Sequence, residues 1–225
     1  MKILAVHSQK GGVGKTTIAM NLAVAAAAEG TPTCIIDVDP QASAAAYHDR
    51  RVENGGSEQP KVIATPLARV PQAIEAAKAE GYKLLILDTP PNIAGDTITI
   101  AQAAHLVIIP AKPSMLDLSA IQKSTSIVTI TGQTGFVVLN ECKAVGELTE
   151  QARDLITGDL NFPVAEPTIG SRVAFVHAAT VGKGVLETEP SSKAAGEIAQ
   201  LWKYVKKALA AASKAKGEER KVVNG

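Results

Sequence analysis

Aromatic residues are nearly missing from this chain: one tryptophan, three tyrosines and three phenylalanines make up 3% of 225 residues, although 46% are hydrophobic. An interior of this size must then be filled with Ala, Val, Ile and Leu, which suits a parallel sheet buried on both faces beneath alanine-rich helices. Cysteine is equally sparse. Cys34 and Cys142 give no metal-ligand spacing and no disulfide framework, so a stapled scaffold and a cysteine-held cluster are excluded and both read as buried thiols. No apolar run approaches the ~20 residues that span a bilayer, and only a strand-length apolar stretch follows Met1-Lys2, so neither a membrane span nor a signal peptide is expected. The four histidines, His7, His48, His105 and His177, are dispersed, and none is assigned a catalytic role.

What is present begins at once. Lys2 to His7 reads as a buried strand, Thr16 onward as a helix, and between them runs Ser8-Gln9-Lys10-Gly11-Gly12-Val13-Gly14-Lys15-Thr16-Thr17. A glycine-rich strand-to-helix turn lets consecutive backbone N–H groups converge on anionic oxygens, and the helix N-terminus adds its partial positive charge there. In such a loop Lys15 reaches the β- and γ-phosphates of a nucleotide, and the Thr16 hydroxyl coordinates Mg²⁺. Position 9 is Gln9, so the strict pattern G-x-x-x-x-G-K-[ST] fails; K-G-G-x-G-K-[ST], with a second lysine at Lys10, fits throughout.

Two more apolar strands end in carboxylates. Thr33-Cys34-Ile35-Ile36-Asp37-Val38-Asp39-Pro40-Gln41 places Asp37 and Asp39 at a strand end, the edge that faces the ligand crevice of an open α/β sheet, although Asp39 before Pro40 also suits helix capping. Leu84-Leu85-Ile86-Leu87-Asp88 repeats the pattern on the strand that follows a helix-length segment. Strands at 2–7, 33–38, 84–88, 105–110, 135–139 and 162–166, an edge strand at 61–65, and helices between them predict a doubly wound, mostly parallel sheet with helices on both faces. Residues 1–215 are expected to form a single domain, followed by a basic, flexible tail at 216–225; residues 49–60 read as a surface loop.

Charge is unevenly spread. Residues 201–225 hold seven basic and two acidic residues, leaving the remainder net acidic by four. Leu201, Val205 and Leu209 supply one apolar stripe for a last helix, whose lysines then face water or a polyanion.

The two-lysine loop, with the D-x-D-P-Q strand end and the Asp88 strand end, resembles the ParA/MinD family of deviant phosphate-loop ATPases. The resemblance covers Lys2 to Asn140 and implies ATP and Mg²⁺ as cofactors. It implies that Lys10 reaches a partner's ATP across a nucleotide-sandwich homodimer, that Asp39 positions the attacking water, that Asp88 holds Mg²⁺, and that Thr89 to Ala94 respond to the γ-phosphate. Nucleotide contacts then fall on Lys10, Gly11, Gly12, Val13, Gly14, Lys15, Thr16, Thr17 and, as adenine reader, Asn140, with Glu166 to Arg172 as the opposite wall of the base pocket.

Because the chain opens directly into its first strand, it resembles the compact ParA form without an N-terminal helix-turn-helix. That form implies a cytoplasmic, nucleoid-associated protein whose ATP-bound dimer binds double-stranded DNA nonspecifically, here through Arg172, Lys193, Lys203, Lys206 and Lys207. A ParB-like or cargo adaptor protein would stimulate hydrolysis. The alternative, a MinD-like membrane-associated ATPase, calls for a lipid-binding terminal helix, and Gly217 to Gly225 lacks a bulky apolar face. A dethiobiotin-synthetase-like enzyme is disfavoured by Lys10, a nitrogenase-iron-protein reading by the missing cluster cysteines, and a bacterial tyrosine kinase by the absence of tyrosine from the tail.

Overall fold

The computed structural model describes residues 1–91, 96–115, 117–145 and 147–223. Six parallel strands form one sheet in the order β3-β2-β4-β1-β5-β6. They are β1 (Lys2–Val6), β2 (Thr33–Asp37), β3 (Lys61–Ala64), β4 (Leu84–Asp88), β5 (Leu106–Ala111) and β6 (Thr134–Leu139). Parallel neighbours need crossovers, and α1 (Lys15–Ala28), α2 (Ser43–Glu53), α3 (Val70–Ala79), α4 (Asp96–Ala103) and α5 (Leu118–Ile130) supply them. The chain continues through α6 (Leu148–Asp159), α7 (Val173–Thr180), the single turn α8 (Val185–Thr188) and the long α9 (Lys193–Val223).

Strand side chains alternate between two buried layers. Leu4, Val6, Ile35, Ile86 and Ile108 pack towards α1 and α9, where Ile198, Leu201, Trp202, Val205 and Leu209 cover them. Ile3, Cys34, Ile36, Leu85 and Val107 face the opposite layer, with Ile100, Val128 and Ile156 from the helices on that side. Helix α1 is buried without interruption from Ile18 to Ala26, so the element that follows the glycine loop is held from all sides. The stripe of Leu201, Val205 and Leu209 docks α9 as its spacing predicts.

Three features differ from the sequence reading. Residues 162–166 form only an isolated bridge, Val137 to Val164, because Pro163 lacks an N–H and the pairing stops at Val137 N–H to Pro163 O and Ala165 N–H to Val137 O. Helix α2 extends to Glu53, into the stretch that reads as a surface loop, and it carries Arg51 into the interior at 2% exposure. The helical backbone of α9 runs on to Val223, through the stretch where the sequence predicts a tail.

Register is what assembles the functional edge. Val6 on β1 pairs with Asp88 on β4, and Asp88 pairs with Asp37 on β2, so the glycine loop and two carboxylates leave the sheet at one level.

Candidate nucleotide and magnesium site

The glycine loop closes over the carboxyl end of β1. Gly14 caps α1 in the left-handed region, φ 89°, and Gly12 is left-handed at 71°, conformations open to glycine at little cost. A Cβ at Gly11 or Gly12 would meet no atom within 4 Å, so the space above the loop is open. The loop is braced from three directions. Gln9 N–H donates to Ser124 Oγ at 3.2 Å, Lys10 N–H to Ser8 Oγ at 3.3 Å, and Asn140 Nδ2 to the Val13 carbonyl at 2.8 Å. The first intrahelical bond runs from Ile18 N–H to Gly14 O at 3.0 Å, leaving the amides of the preceding turn for an anion.

Charge is concentrated just beneath this opening. Lys15 is only 7% exposed, and burial lowers the pKa of its ammonium, against the pull of Asp88 and Asp39. Asp88 is 1% exposed, and burial pushes its carboxyl up to about 7; the Thr16 hydroxyl and Lys15 oppose that rise while Asp37 adds to it. Neither Asp88 oxygen is held in a well-formed hydrogen bond among the described residues. A buried carboxylate left this way is costly unless a cation satisfies it. The donor set therefore fits Mg²⁺, with Asp88 and Thr16 as the residues that would hold it. No cluster of three or more His, Cys, Asp or Glu forms a metal cage among the described residues, and Mg²⁺ in a nucleotide site would take its remaining ligands from phosphate and water. Such an ion would neutralise phosphate charge.

The two carboxylates of the second strand end divide their work. Buried Asp37 accepts from Asp39 N–H at 3.1 Å, Ala44 N–H at 2.9 Å and Ala45 N–H at 3.1 Å, so it caps α2, the role that sequence assigns as readily to Asp39. Burial raises the Asp37 carboxyl, and those backbone donors pull it back. Asp39 is half-buried and one oxygen of its side chain accepts Gln41 N–H at 2.9 Å, so lone pairs remain for a water.

His7 sits at the same edge. Its Nδ1 lies 3.2 Å from Thr89 Oγ1, and that hydroxyl donates to the Val6 carbonyl at 3.1 Å, so the proton belongs on Nδ1. Burial, then Lys15, lowers its pKa to about 4, keeping the ring neutral near pH 7. Nothing in the sequence points to this role, because His7 differs from the other histidines only in its spatial neighbours. Thr89 joins the segment expected to respond to the γ-phosphate, Thr89 to Ala94, to this network, and residues 92–94 of that segment lie outside the described residues.

A cleft of about 650 Å³ opens beside the loop, lined by Gly14, Thr17, Asn140, Glu141 and, across from them, Gly170, Ser171 and Arg172. Phe175, Val176 and Ala179 of α7 complete the wall, an element absent from the sequence reading. Glu166 to Thr168, expected in this wall, line a separate groove with Lys203 and Lys207. Asn140 is 4% exposed, and with one amide hydrogen on Val13 it retains an N–H and an oxygen for a base edge. Glu141 adopts φ 54° and is tied to Lys112 at 2.6 Å. Lys10 borders a narrow crevice with Ser8, Val13, Lys112 and Asp117.

The basic residues expected at DNA separate into two groups. Lys193, Lys203 and Lys207 are exposed. Lys206 instead bridges to Glu29 at 2.7 Å and lies 5.7 Å from the Trp202 ring centroid, and Arg172 is paired with Glu197. Beyond them Lys216 Nζ donates to the carbonyls of Gln102 and Ala104 at 2.8 Å, anchoring α9 to the end of α4.

A parallel sheet with a left-handed glycine loop at its carboxyl edge, a buried lysine and an unsatisfied aspartate defines a phosphate-loop nucleotide-binding protein. The chain belongs to the CobQ/CobB/MinD/ParA nucleotide binding domain family, whose sequence profile matches residues 4–185, and within it to the ParA/MinD type of ATPase, which uses ATP and Mg²⁺. It is 30% identical over 191 residues to maintenance of carboxysome distribution protein A of Gloeobacter kilaueensis, covering 83% of this chain and 84% of that protein. It is 25% identical over 248 residues to the sporulation initiation inhibitor protein Soj of Bacillus subtilis, covering 91% and 98%. In fold it is similar to the Pyrococcus furiosus cell division ATPase MinD, with TM-score 0.74 at 20% identity over 92% of this chain and 98% of that one. An ATP complex of a singly substituted Cyanothece McdA gives TM-score 0.73 at 19% identity over 93% and 96%.

Proposed function

We propose that this chain is a ParA-type positioning ATPase. Two copies close around ATP and Mg²⁺, the dimer binds DNA without sequence preference, and a partner protein releases it by stimulating hydrolysis. The observation that carries the reading is a two-lysine loop set over the buried carboxylate of Asp88: Lys15, buried beneath the loop, serves the phosphates of its own copy, and the second lysine, Lys10, is assigned to a partner's nucleotide. Lys15 and the first-turn amides of α1 bind and orient the phosphates, and Asp39 holds a water through its unused oxygen lone pairs.

Exposed Lys193, Lys203 and Lys207 support the DNA arm, since a dimer doubles the number of phosphate contacts each copy offers. The relatives include proteins of chromosome partition and carboxysome distribution, so the cargo class proposed is a plasmid, a chromosomal locus or a protein assembly carried over the nucleoid in the cytoplasm. No described helix is long and apolar enough to cross a membrane.

Binding to a random-sequence duplex, with ATP and with ADP across a salt titration, tests the proposal. Binding with ATP alone that weakens steeply with salt is expected. Absence of binding in both states, with ATP still bound, would overturn the DNA arm; cosedimentation with anionic vesicles in that case would favour a MinD-like membrane ATPase.

A further inference from the structure

The cleft beside the glycine loop is lined by two guanidinium groups that are chemically unlike. Arg172 is committed: its Nε donates to both Glu197 oxygens at 3.0 Å, its Nη2 closes on Oε1, and Gly170 N–H donates to Oε2 at 3.0 Å. Arg50, near the C-terminal end of α2, has no carboxylate partner among the described residues. Its Nε donates to the Ala179 carbonyl at 3.1 Å, and its Cζ lies 5.9 Å from the Tyr47 ring centroid. Neither terminal nitrogen makes a hydrogen bond among the described residues. The remaining ionic residue of the lining, Glu141, is neutralised by Lys112. One uncompensated charge therefore lines the cleft among the described residues, and it is positive.

Its place in the cleft narrows what it can hold. Thr17 lines the same cleft, one residue beyond Thr16, and in such a loop the backbone amides cradle the α- and β-phosphates while the lysine reaches the β- and γ-phosphates. A guanidinium anchored at Nε keeps a planar pair of Nη donors, whose geometry matches two oxygens of one phosphate. We infer that Arg50 binds the α-phosphate of the nucleotide, which makes it a nucleotide contact supplied by α2 from outside the glycine loop. The inference rests on the nucleotide-binding reading of the site. Nothing in the sequence singles Arg50 out, because its polar surroundings read as loop rather than as the helix that presents it.

The test is titration of fluorescent ADP into the full chain at several salt concentrations, with Arg50→Gln and Arg50→Lys beside the unsubstituted protein. Arg50→Gln is expected to weaken ADP about tenfold or more, the size of one charge-assisted hydrogen bond, and to flatten the salt dependence. Arg50→Lys, which keeps the charge and loses the fork, is expected to fall between and to keep the salt dependence. Equal affinity in Arg50→Gln and the unsubstituted protein would overturn the assignment. So would equal losses in both variants with unchanged salt dependence, which would mark a merely structural role through Ala179. Failure of the unsubstituted protein to bind ADP would overturn the nucleotide reading itself.

Discussion

Asn140 lies so close to Gly14 that a Cβ built on the glycine would fall 2.2 Å from the Asn140 amide nitrogen, the same nitrogen that donates to the Val13 carbonyl. The end of β6 and the start of α1 are thus locked across the loop. Gly14→Ala meets two penalties at once: a left-handed φ of 89° costing about 1–2 kcal/mol for an L side chain, and displacement of Asn140 from Val13. The expected result is a chain that folds, by circular dichroism, and binds ADP at least about tenfold more weakly. Unchanged ADP affinity would show that the loop tolerates an open Gly14–Asn140 contact.

Asp88 and His7 impose opposite pH dependences on the nucleotide-free protein. Between its ordinary 3.8 and its folded value of about 7, Asp88 keeps a proton in the folded state that the unfolded chain has released, so stability falls as pH rises. Between about 4 and 6.5, folded His7 is neutral while the unfolded chain is protonated, so stability rises with pH. The two largely cancel over that shared window. Asp88→Asn is expected to unmask the histidine limb and His7→Gln the aspartate limb. Each departs from the unsubstituted protein by up to about 1.4 kcal/mol per pH unit, in opposite directions. Urea unfolding at pH 4.5, 5.5 and 6.5 reads both slopes; parallel curves for all three proteins would refute the assignment.

Legibility in the sequence followed chain-local signals. The glycine loop and the strands ending in Asp37 and Asp88 were readable because spacing and apolar runs are properties of consecutive residues, and the observed β2 and β4 end on those aspartates. What was hidden depends on register and packing. Only the pairing of Asp37 with Asp88 across β2 and β4 shows that both carboxylates share one level, and only its neighbours, Thr89 and Lys15, separate His7 from the other histidines. Polar composition makes residues 49–60 look like loop, yet the guanidinium of Arg51 finds enough partners to be buried there. The short α7 lacks a distinguishing period, so its part of the cleft wall was hidden, whereas Gly170 to Arg172 fall in the stretch that the sequence assigns to that wall.

Arg51 is a large stability determinant outside the nucleotide cleft. Its terminal nitrogens meet Glu187 at 2.6 and 2.7 Å, and it also donates to the carbonyls of Ser57, Gln59 and Gly182. Arg51→Met would strand Glu187 and three carbonyls. The expected loss is about 3 kcal/mol, the lower end for a broken buried pair, since the Glu187 side chain retains 30% exposure and can rehydrate. Denaturant unfolding in a double-mutant cycle with Glu187→Gln should show coupling above about 1 kcal/mol. Additive losses would mean that the backbone carbonyls, rather than Glu187, hold Arg51 in place.

Lys10 belongs to the glycine loop that follows β1 and Asp39 to the segment that follows β2, and the proposed cycle assigns them separate steps. Lys15 is buried beneath the loop, where it can serve only the nucleotide of its own copy, whereas Lys10 is half-buried at the loop's outer side beside Asp117 and Lys112. Lys10→Ala is therefore expected to abolish the ATP-dependent dimer in sedimentation while leaving ADP affinity within about twofold, because a charge acting in trans contributes little to binding by one copy. An unchanged dimer would remove Lys10 from the interface. Asp39→Ala should do the opposite, leaving dimer and DNA binding intact and slowing ATP turnover by about tenfold or more, since the proposed cycle gives the half-buried carboxylate a water rather than a phosphate. Normal turnover in that variant would refute the water-positioning role, and loss of the dimer would show that Asp39 acts through the interface instead.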